Sequence, residues 1–387
     1  MSQDTLIKII ENLEEELISV RHDLHSEPEL SNEEFETTKK IRNWLNKANI
    51  RILDVPLRTG LIAEVSGNPT GPVIAIRGDI DALPIHEEAD VSYRSKYDGV
   101  MHACGHDFHT ASILGAAYLL KQKESFLKGT VRIIFQPAEE TGHGAKAVLN
   151  SQGLKNVQAI FGLHNKPSLK LGELGTRIGP SSAGVDRFEI HVEGIGTHAA
   201  HPDLGIDPIL VTGHIITALQ SIVSRNIDWQ DSAVVSVTHI QSGNTWNVIP
   251  STAYLEGTVR TFSDIIREEI PKRIRTIIEG IATTFGAKAT LTWHPGPPSV
   301  VNDKGWTPFT FDVAKESGFS TVEIEPSAGG EDFAFYQQQI PGTFVDIGTS
   351  QPYNLHHPKF TVDDAALLPS AKFFALLAER ALERLDH

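Results

Sequence analysis

Apolar residues at Leu6, Ile9, Ile10, Leu13, Leu17 and Val20 recur at the spacing that keeps one stripe of a helix turned to a core, so the chain is predicted to open with a helix. A second helix is predicted over 33–45, after the turn Ser26-Glu27-Pro28-Glu29. The pattern then shortens to β-branched runs at 51–53, 61–65 and 73–76, which read as strands. The last of them runs into Arg77, Asp79 and Asp81, and the C-terminal end of a strand is where open α/β sheets place function. From Asp107 the pattern is helical through Ser112, Leu114, Ala116 and Leu120. A buried strand follows at 131–135, ended by Pro137 just before Glu139 and Glu140, and another at 159–163 delivers His164. Three predicted strands therefore finish in ionisable residues.

Between 182 and 294 the order of elements changes. Strand (186–192), helix (207–224), strand (233–240), strand (252–261), helix (264–285) and strand (289–293) give the βαββαβ order of a ferredoxin-like unit. The α/β pattern then resumes with a helix at 306–316, a strand at 344–347 and a closing helix at 363–384. The expected fold class is α/β: a discontinuous domain at 1–181 plus 295–387, interrupted by a smaller α+β domain at 182–294. No internal repeat or low-complexity tract interrupts this organisation.

At 387 residues the chain is longer than one core usually serves, which fits two domains. A net charge of −15 without a lysine or arginine cluster argues against nucleic acid and anionic membrane as partners. The N-terminus lacks the basic and apolar regions of a signal peptide, and no apolar run is long enough to span a bilayer. One cysteine excludes an internal disulfide framework. A cytoplasmic location is expected.

That cysteine is where the chemistry begins. Cys104 sits two residues before His106, and Gly105 between them lets the backbone turn tightly enough for both side chains to face one point. A lone cysteine is more often a small buried hydrophobe, but Glu140 and His164 at strand ends and Leu355-His356-His357-Pro358 near the C-terminus shift the balance toward ligation. The expected site holds two divalent metal ions on Cys104, His106, Glu140, His164 and one of His356 and His357. Imidazole, carboxylate and thiolate suit zinc, manganese, cobalt or nickel better than calcium or magnesium. Ions roughly 3.5–4 Å apart lower the pKa of bound water to about 7. Glu139, beside ligand Glu140 but diverging from it, is the candidate general base. An arbitrary Glu-Glu pair is usually a solvated one; its place after a buried strand and a proline favours function. His102 and His109 read as supporting residues rather than ligands. Asp79 and Asp81 either orient a ligand imidazole or cap the following turn.

Arg77-Gly-Asp-Ile-Asp-Ala-Leu-Pro84, Met101-His-Ala-Cys-Gly-His-Asp-Phe-His-Thr110, Phe135-Gln-Pro-Ala-Glu-Glu140, Gly162-Leu-His164, Gly196-Thr-His-Ala-Ala200, Asn247-Val-Ile-Pro250, Gly257-Thr-Val-Arg-Thr-Phe262, Gly330-Glu-Asp-Phe333 and Leu355-His-His-Pro358 occur in one order over nearly the whole chain. Together they resemble the M20 metallopeptidase family, and more narrowly its amidohydrolase branch of N-acyl-amino-acid, hippurate and auxin-conjugate hydrolases. The resemblance implies a metal-dependent exopeptidase-like catalytic domain with an inserted dimerisation or lid domain. It assigns metal ligation to Cys104, His106, Glu140, His164 and His356, its Leu-His-x-Pro pattern choosing His356 over His357, and general-base catalysis to Glu139. It implies manganese as a frequent metal and a homodimer or higher homo-oligomer. His198 would stabilise the oxyanion in the partner subunit's site, and Asn247 and Arg260 would bind the substrate carboxylate.

Two departures matter. Other branches place a His-x-Asp ligand pair where this chain has Arg77-Gly-Asp79, which leaves that ligand role to His106 and argues against their dipeptidases and tripeptidases. Thr197 stands where the family commonly has glycine, which bears on the reach of His198. The expected function is hydrolysis of N-acyl-L-amino acids through a metal-bridged hydroxide. The alternatives are a carboxypeptidase or dipeptidase on the same site and, more distantly, a non-catalytic metal- or ligand-binding protein.

Overall fold

The computed structural model describes residues 3–386, with side chains from Leu6 onward; Met1, Ser2 and His387, at the ends of the expected larger domain, lie outside the described residues. By contacts the chain divides into two units, Met1–Ser181 with Val301–Glu325 and Asp332–His387, and Ser182–Val300 with Pro326–Glu331. Residues 295–300 and 326–331, which the sequence reading placed in the larger domain, group with the smaller unit. The physical reason is main-chain pairing: Val185 N–H donates to Pro297 O, and Ala183 N–H is shared between Ser327 O and Gly329 O.

The larger unit is built on an eight-stranded sheet ordered Arg51–Ile52, Leu61–Ser66, Thr130–Gln136, Val73–Asp79, Ala159–Lys166, Gly342–Gly348, Glu173–Thr176, Ser320–Glu323. The four strands from Thr130–Gln136 to Gly342–Gly348 run parallel and are almost wholly buried, which explains their continuous apolar sequences. The helix His106–Gln122 packs on this sheet with the closing helix Leu367–Leu385, and fourteen of its residues are buried. Glu173–Thr176 and Ser320–Glu323 were not anticipated; each is only four residues long and exists through its pairing, the first between Gly342–Gly348 and Ser320–Glu323, the second on the first alone. The opening helical pattern is two helices, Gln3–Glu11 and Leu13–Ser26, broken at Asn12, whose side chain bonds back to Lys8 O.

Leu13–Ser26 carries a buried polar cluster as well as its apolar stripe. Arg21 Nε donates to Asp107 Oδ2 (3.1 Å), the same oxygen meets His25 Nδ1 (2.9 Å), and His25 Nε2 meets Glu87 (3.1 Å). Burial opposes a charge on Asp107, but the Arg21 guanidinium and then His25 hold its pKa well below the usual carboxylate range. A depressed pKa stabilises the fold above about pH 4, the unfolded value, and that contribution is lost as pH falls from there toward the folded value. Asp107→Asn is expected to lower stability near neutral pH by about 3–5 kcal/mol, because Arg21 and His25 lose their shared counter-charge. Urea midpoints measured against pH check this: the gap between wild type and variant narrows below about pH 4.

The smaller unit carries the βαββαβ order as strand Gly184–Glu193, helix Pro208–Ser221, strands Ala233–Ser242 and Thr252–Thr261, helix Asp264–Thr284 and strand Lys288–Pro295. All pairings are antiparallel, with the first strand central between the third and fourth, which is the ferredoxin-like arrangement. Phe188, Ile190, Val192, Leu255 and Val259 point to the helices, where Ile215, Leu219, Ile274 and Ile278 meet them. The alternate positions place Arg187, Glu189, His191, Tyr254, Glu256 and Arg260 on the opposite face. Asp207 caps the first helix by accepting from Ile209 N–H (2.8 Å) ahead of Pro208.

Candidate metal centre

The C-terminal ends of three adjacent parallel strands, Thr130–Gln136, Val73–Asp79 and Ala159–Lys166, meet the N-terminus of the helix His106–Gln122. Gly105 sits before that helix at φ 89°, and a Cβ there would lie 2.2 Å from Asn165 Nδ2, so the turn between Cys104 and His106 admits only glycine. Ligand atoms of Cys104, His106 and His164 lie within 4.8 Å of one another, and so do those of Cys104, Glu140 and His356. Cys104 belongs to both triads, the position a bridging thiolate takes. His106, Glu139 and Glu140 form a third group on the same criterion. His356 is held at φ 66° with its N–H on Ala103 O, whereas His357 turns away, its Nδ1 accepting from Lys359 N–H and its ring stacked on Tyr353.

The imidazoles are oriented by specific partners. His106 Nδ1 meets Asp81 Oδ1 (3.1 Å), which leaves Nε2 for a ligand. Asp81 also accepts from Ser31 Oγ and Glu140 N–H, so one carboxylate sets a candidate ligand from the helix and another from the turn. His164 Nδ1 donates to Asn165 O (2.7 Å), and its Nε2 faces Cys104 Sγ at 3.4 Å. His109 donates from Nδ1 to Asp79 (2.5 Å) while its Nε2 accepts from Asn165 N–H (2.9 Å). Both of its nitrogens are engaged, so the nearby Asp79, His106 and His109 are a supporting group rather than a further ion site. Asp79 and Asp81 thus orient imidazoles.

The turn that carries Glu139 and Glu140 is tightly specified. After Pro137, Ala138 adopts φ 53° and ψ 40°, a left-handed conformation uncommon for a residue with a Cβ. Its N–H is held by the buried Glu34 carboxylate (2.8 Å), and a Cβ on Gly144 would lie 1.7 Å from Pro137 O. Strain at Ala138 and His356 falls at the site, where surrounding contacts hold it in place. Asp332 N–H approaches Glu139 Oε1 at 3.4 Å.

Behind the strand ends, the buried Arg77 guanidinium donates to Gln136 Oε1 (2.9 Å), Asp79 Oδ2 (2.8 Å) and Asp332 Oδ1 (3.0 Å). Burial opposes charge on Asp79, but Arg77, then His106 and His109, hold it well below the carboxylate range. Burial disfavours a charged His164 and lowers its pKa, which keeps it a neutral donor. Burial, then the Glu140 carboxylate, push the Cys104 thiol up. His106 Nε2 and Glu140 Oε1 lie 3.9 Å apart, both buried and, among the described residues, without a hydrogen-bond partner. Two orphaned groups on either side of a thiol fit transition-metal cations as their missing partners, since leaving each unpaired costs about 1–3 kcal/mol. A divalent ion also makes the raised thiol give up its proton.

The remaining candidates lie in the smaller unit. Thr197–His198 pairs with Val248–Ile249 in a two-stranded ribbon, and Thr197 keeps an ordinary negative φ there, so it fits where glycine is common. His198 Nδ1 accepts from Ala200 N–H (3.0 Å), which puts the proton on Nε2. His198 lines a cavity of roughly 950 Å³ with His191, Gln241, Asn244 and Tyr254. Asn247 flanks the ribbon, its carbonyl accepting from Ala199 N–H. Arg260 donates to Val259 O and Thr258 Oγ1 and, among the described residues, has no ion-pair partner. Sequence reasoning missed Glu34, Asn165, Gln136 and the structural part of Asp332; the one local signal was a polar Asn directly after His164.

The sequence pattern of Peptidase family M20/M25/M40 matches residues 75–380. The chain belongs to this family. An M20 relative from Bacillus subtilis, N-acetylcysteine deacetylase, is 55% identical over 368 residues, covering 95% of this chain and 97% of that protein. Thermostable carboxypeptidase 2 of Saccharolobus solfataricus is 38% identical over 379 residues, covering 95% of this chain and 96% of that protein. Among solved structures, a dinuclear metal binding peptidase from the M20 family of Bacillus subtilis superposes with a TM-score of 0.88 at 51% identity, covering 96% of this chain and 99% of that one. The α/β fold of this chain is that of M20 dinuclear peptidases.

Proposed function

We propose that this chain is a metal-dependent amidohydrolase that cleaves N-acyl-L-amino acids to a carboxylate and a free amino acid. The observation that carries the reading is the pair of ligand triads sharing Cys104, with Glu139 beside them. The 55% identity to a protein named for N-acetylcysteine deacetylation supports the substrate class. Cys104, His106 and His164 would hold one divalent ion, and Cys104, Glu140 and His356 the other, with manganese the proposed metal. Bound there, the two ions supply Lewis acidity for the amide carbonyl and acidify water enough for attack near neutral pH.

The chain's own groups do the rest. Glu139 takes the proton of the attacking water and passes it to the departing amine, which must leave as a neutral amine rather than an amide anion. His198 of the partner subunit, its Nδ1 occupied by Ala200 N–H, presents Nε2–H to the oxygen that gains negative charge. Arg260, with no ion-pair partner among the described residues, offers a guanidinium fork to the substrate carboxylate, and Asn247 adds an amide donor. The role given to His198 requires a homodimer or a higher homo-oligomer, which is proposed together with a cytoplasmic location.

The test is hydrolysis by metal-stripped protein of acetyl- and benzoyl-amino acids and of dipeptides, with manganese, zinc, cobalt or nickel restored singly. Metal-dependent cleavage of the acylated amino acids is expected. Restoration on dipeptides alone replaces the reading with a carboxypeptidase, the second reading that the 38% identical carboxypeptidase relative favours. Two bound ions without hydrolysis of any substrate replaces it with a binding protein.

A further inference from the structure

We propose that Asn165 is a positioning residue for the metal ligands Cys104 and His164, acting through both its main chain and its side chain. The inference rests on the two-ion reading above. Asn165 follows His164 on the strand Ala159–Lys166 and is fully buried. Its carbonyl accepts from His164 Nδ1 (2.7 Å), which fixes the tautomer and leaves the Nε2 lone pair toward Cys104. Its side-chain Nδ2 donates to the Cys104 carbonyl and lies 3.1 Å from His109 Nε2. Its main-chain N–H donates to the same His109 nitrogen (2.9 Å), and His109 is anchored on Asp79.

The network fixes every orientation in it. A backbone N–H only donates, so His109 Nε2 accepts and Nδ1 carries the proton that Asp79 receives. The Cys104 carbonyl only accepts, so the Asn165 amide must present its nitrogen there. One residue therefore sets where Cys104 stands and which nitrogen of His164 faces it. Glu140 and His356 are set by other partners, Asp81 and the Ala103 carbonyl. Cys104 belongs to both triads, so loss of the Asn165 side chain should weaken both ions through Cys104 while the main-chain support of His164 is kept. The close approach of Gly105, where a Cβ would meet Asn165 Nδ2 at 2.2 Å, shows the amide packed against the ligand turn.

The experiment is cobalt titration of metal-stripped wild type, Asn165→Ala and His109→Gln, with a competing chelator, following the thiolate-to-cobalt charge-transfer band. Thermal melting of each metal-free protein controls for folding. Wild type should fill two sites. In Asn165→Ala cobalt binding should weaken by about 10–100-fold, the scale of lost support behind a ligand, with an altered charge-transfer band and an unchanged metal-free melting temperature. His109→Gln should weaken binding in the same way. Two sites with wild-type affinities and band in Asn165→Ala overturn the proposal. Weakened binding with an unaltered charge-transfer band and a lowered metal-free melting temperature overturns it too, in favour of a purely structural role. A wild type that binds no cobalt overturns the two-ion reading itself, and this proposal with it.

Discussion

Glu139→Gln is expected to lower kcat for N-acetyl-amino-acid hydrolysis by about 10²–10⁴-fold, the range contributed by a positioned general base, while two ions stay bound. The amide replacement is nearly isosteric and cannot accept a proton. Glu140, one residue on in the turn Glu139–Thr141, is the one grouped with Cys104 and His356, so its site is retained. The neutral amide introduced at this position still offers an oxygen to Asp332 N–H, as Glu139 Oε1 does, so the turn keeps its shape. Steady-state kinetics with metal content measured on the same sample separate the outcomes. Activity near wild type with two ions present would remove Glu139 from the mechanism, and loss of an ion would make it a ligand instead.

His356→Ala is expected to remove one ion and most of the activity, whereas His357→Ala leaves both near wild type. Losing the Lewis acidity of an ion costs several kcal/mol of transition-state stabilisation. At about 1.4 kcal/mol per factor of ten, that is on the order of 10³-fold in rate. His356 Nε2 lies 3.5 Å from Glu140 Oε1, while His357 accepts from Lys359 N–H and stacks on Tyr353 at a centroid distance of 4.5 Å. Metal content and kcat of the two variants side by side decide it; equal losses in both would mean that the loop does not distinguish them.

The two adjacent histidines show where sequence reasoning reaches its limit. Side chains one residue apart diverge, but spacing says nothing about which diverges toward a site. Here the choice depends on φ 66° at His356 and on a main-chain hydrogen bond to Ala103, roughly 250 residues earlier in the chain. The gathering of Cys104, His106, Glu139, Glu140 and His164 was legible because each follows a strong local signal: a strand end, a glycine turn, a proline stop. The βαββαβ order was legible for the same reason, since its elements are long and alternate cleanly. Short strands such as Glu173–Thr176 and Thr197–His198 were not, because tertiary pairing creates them. Glu34 was invisible as well: it looks like any helix-leading acid, yet it is buried between Thr59 and the Ala138 N–H, and it holds the turn that carries the proposed base. Burial raises its pKa, as expected where a carboxylate serves main-chain geometry rather than water.

The most direct test of the dinuclear reading is anomalous X-ray scattering from crystals grown with manganese. Two anomalous peaks are expected roughly 3.5–4 Å apart, one within bonding distance of Cys104, His106 and His164 and the other of Cys104, Glu140 and His356. A single peak, or two peaks that do not share Cys104, would contradict the account.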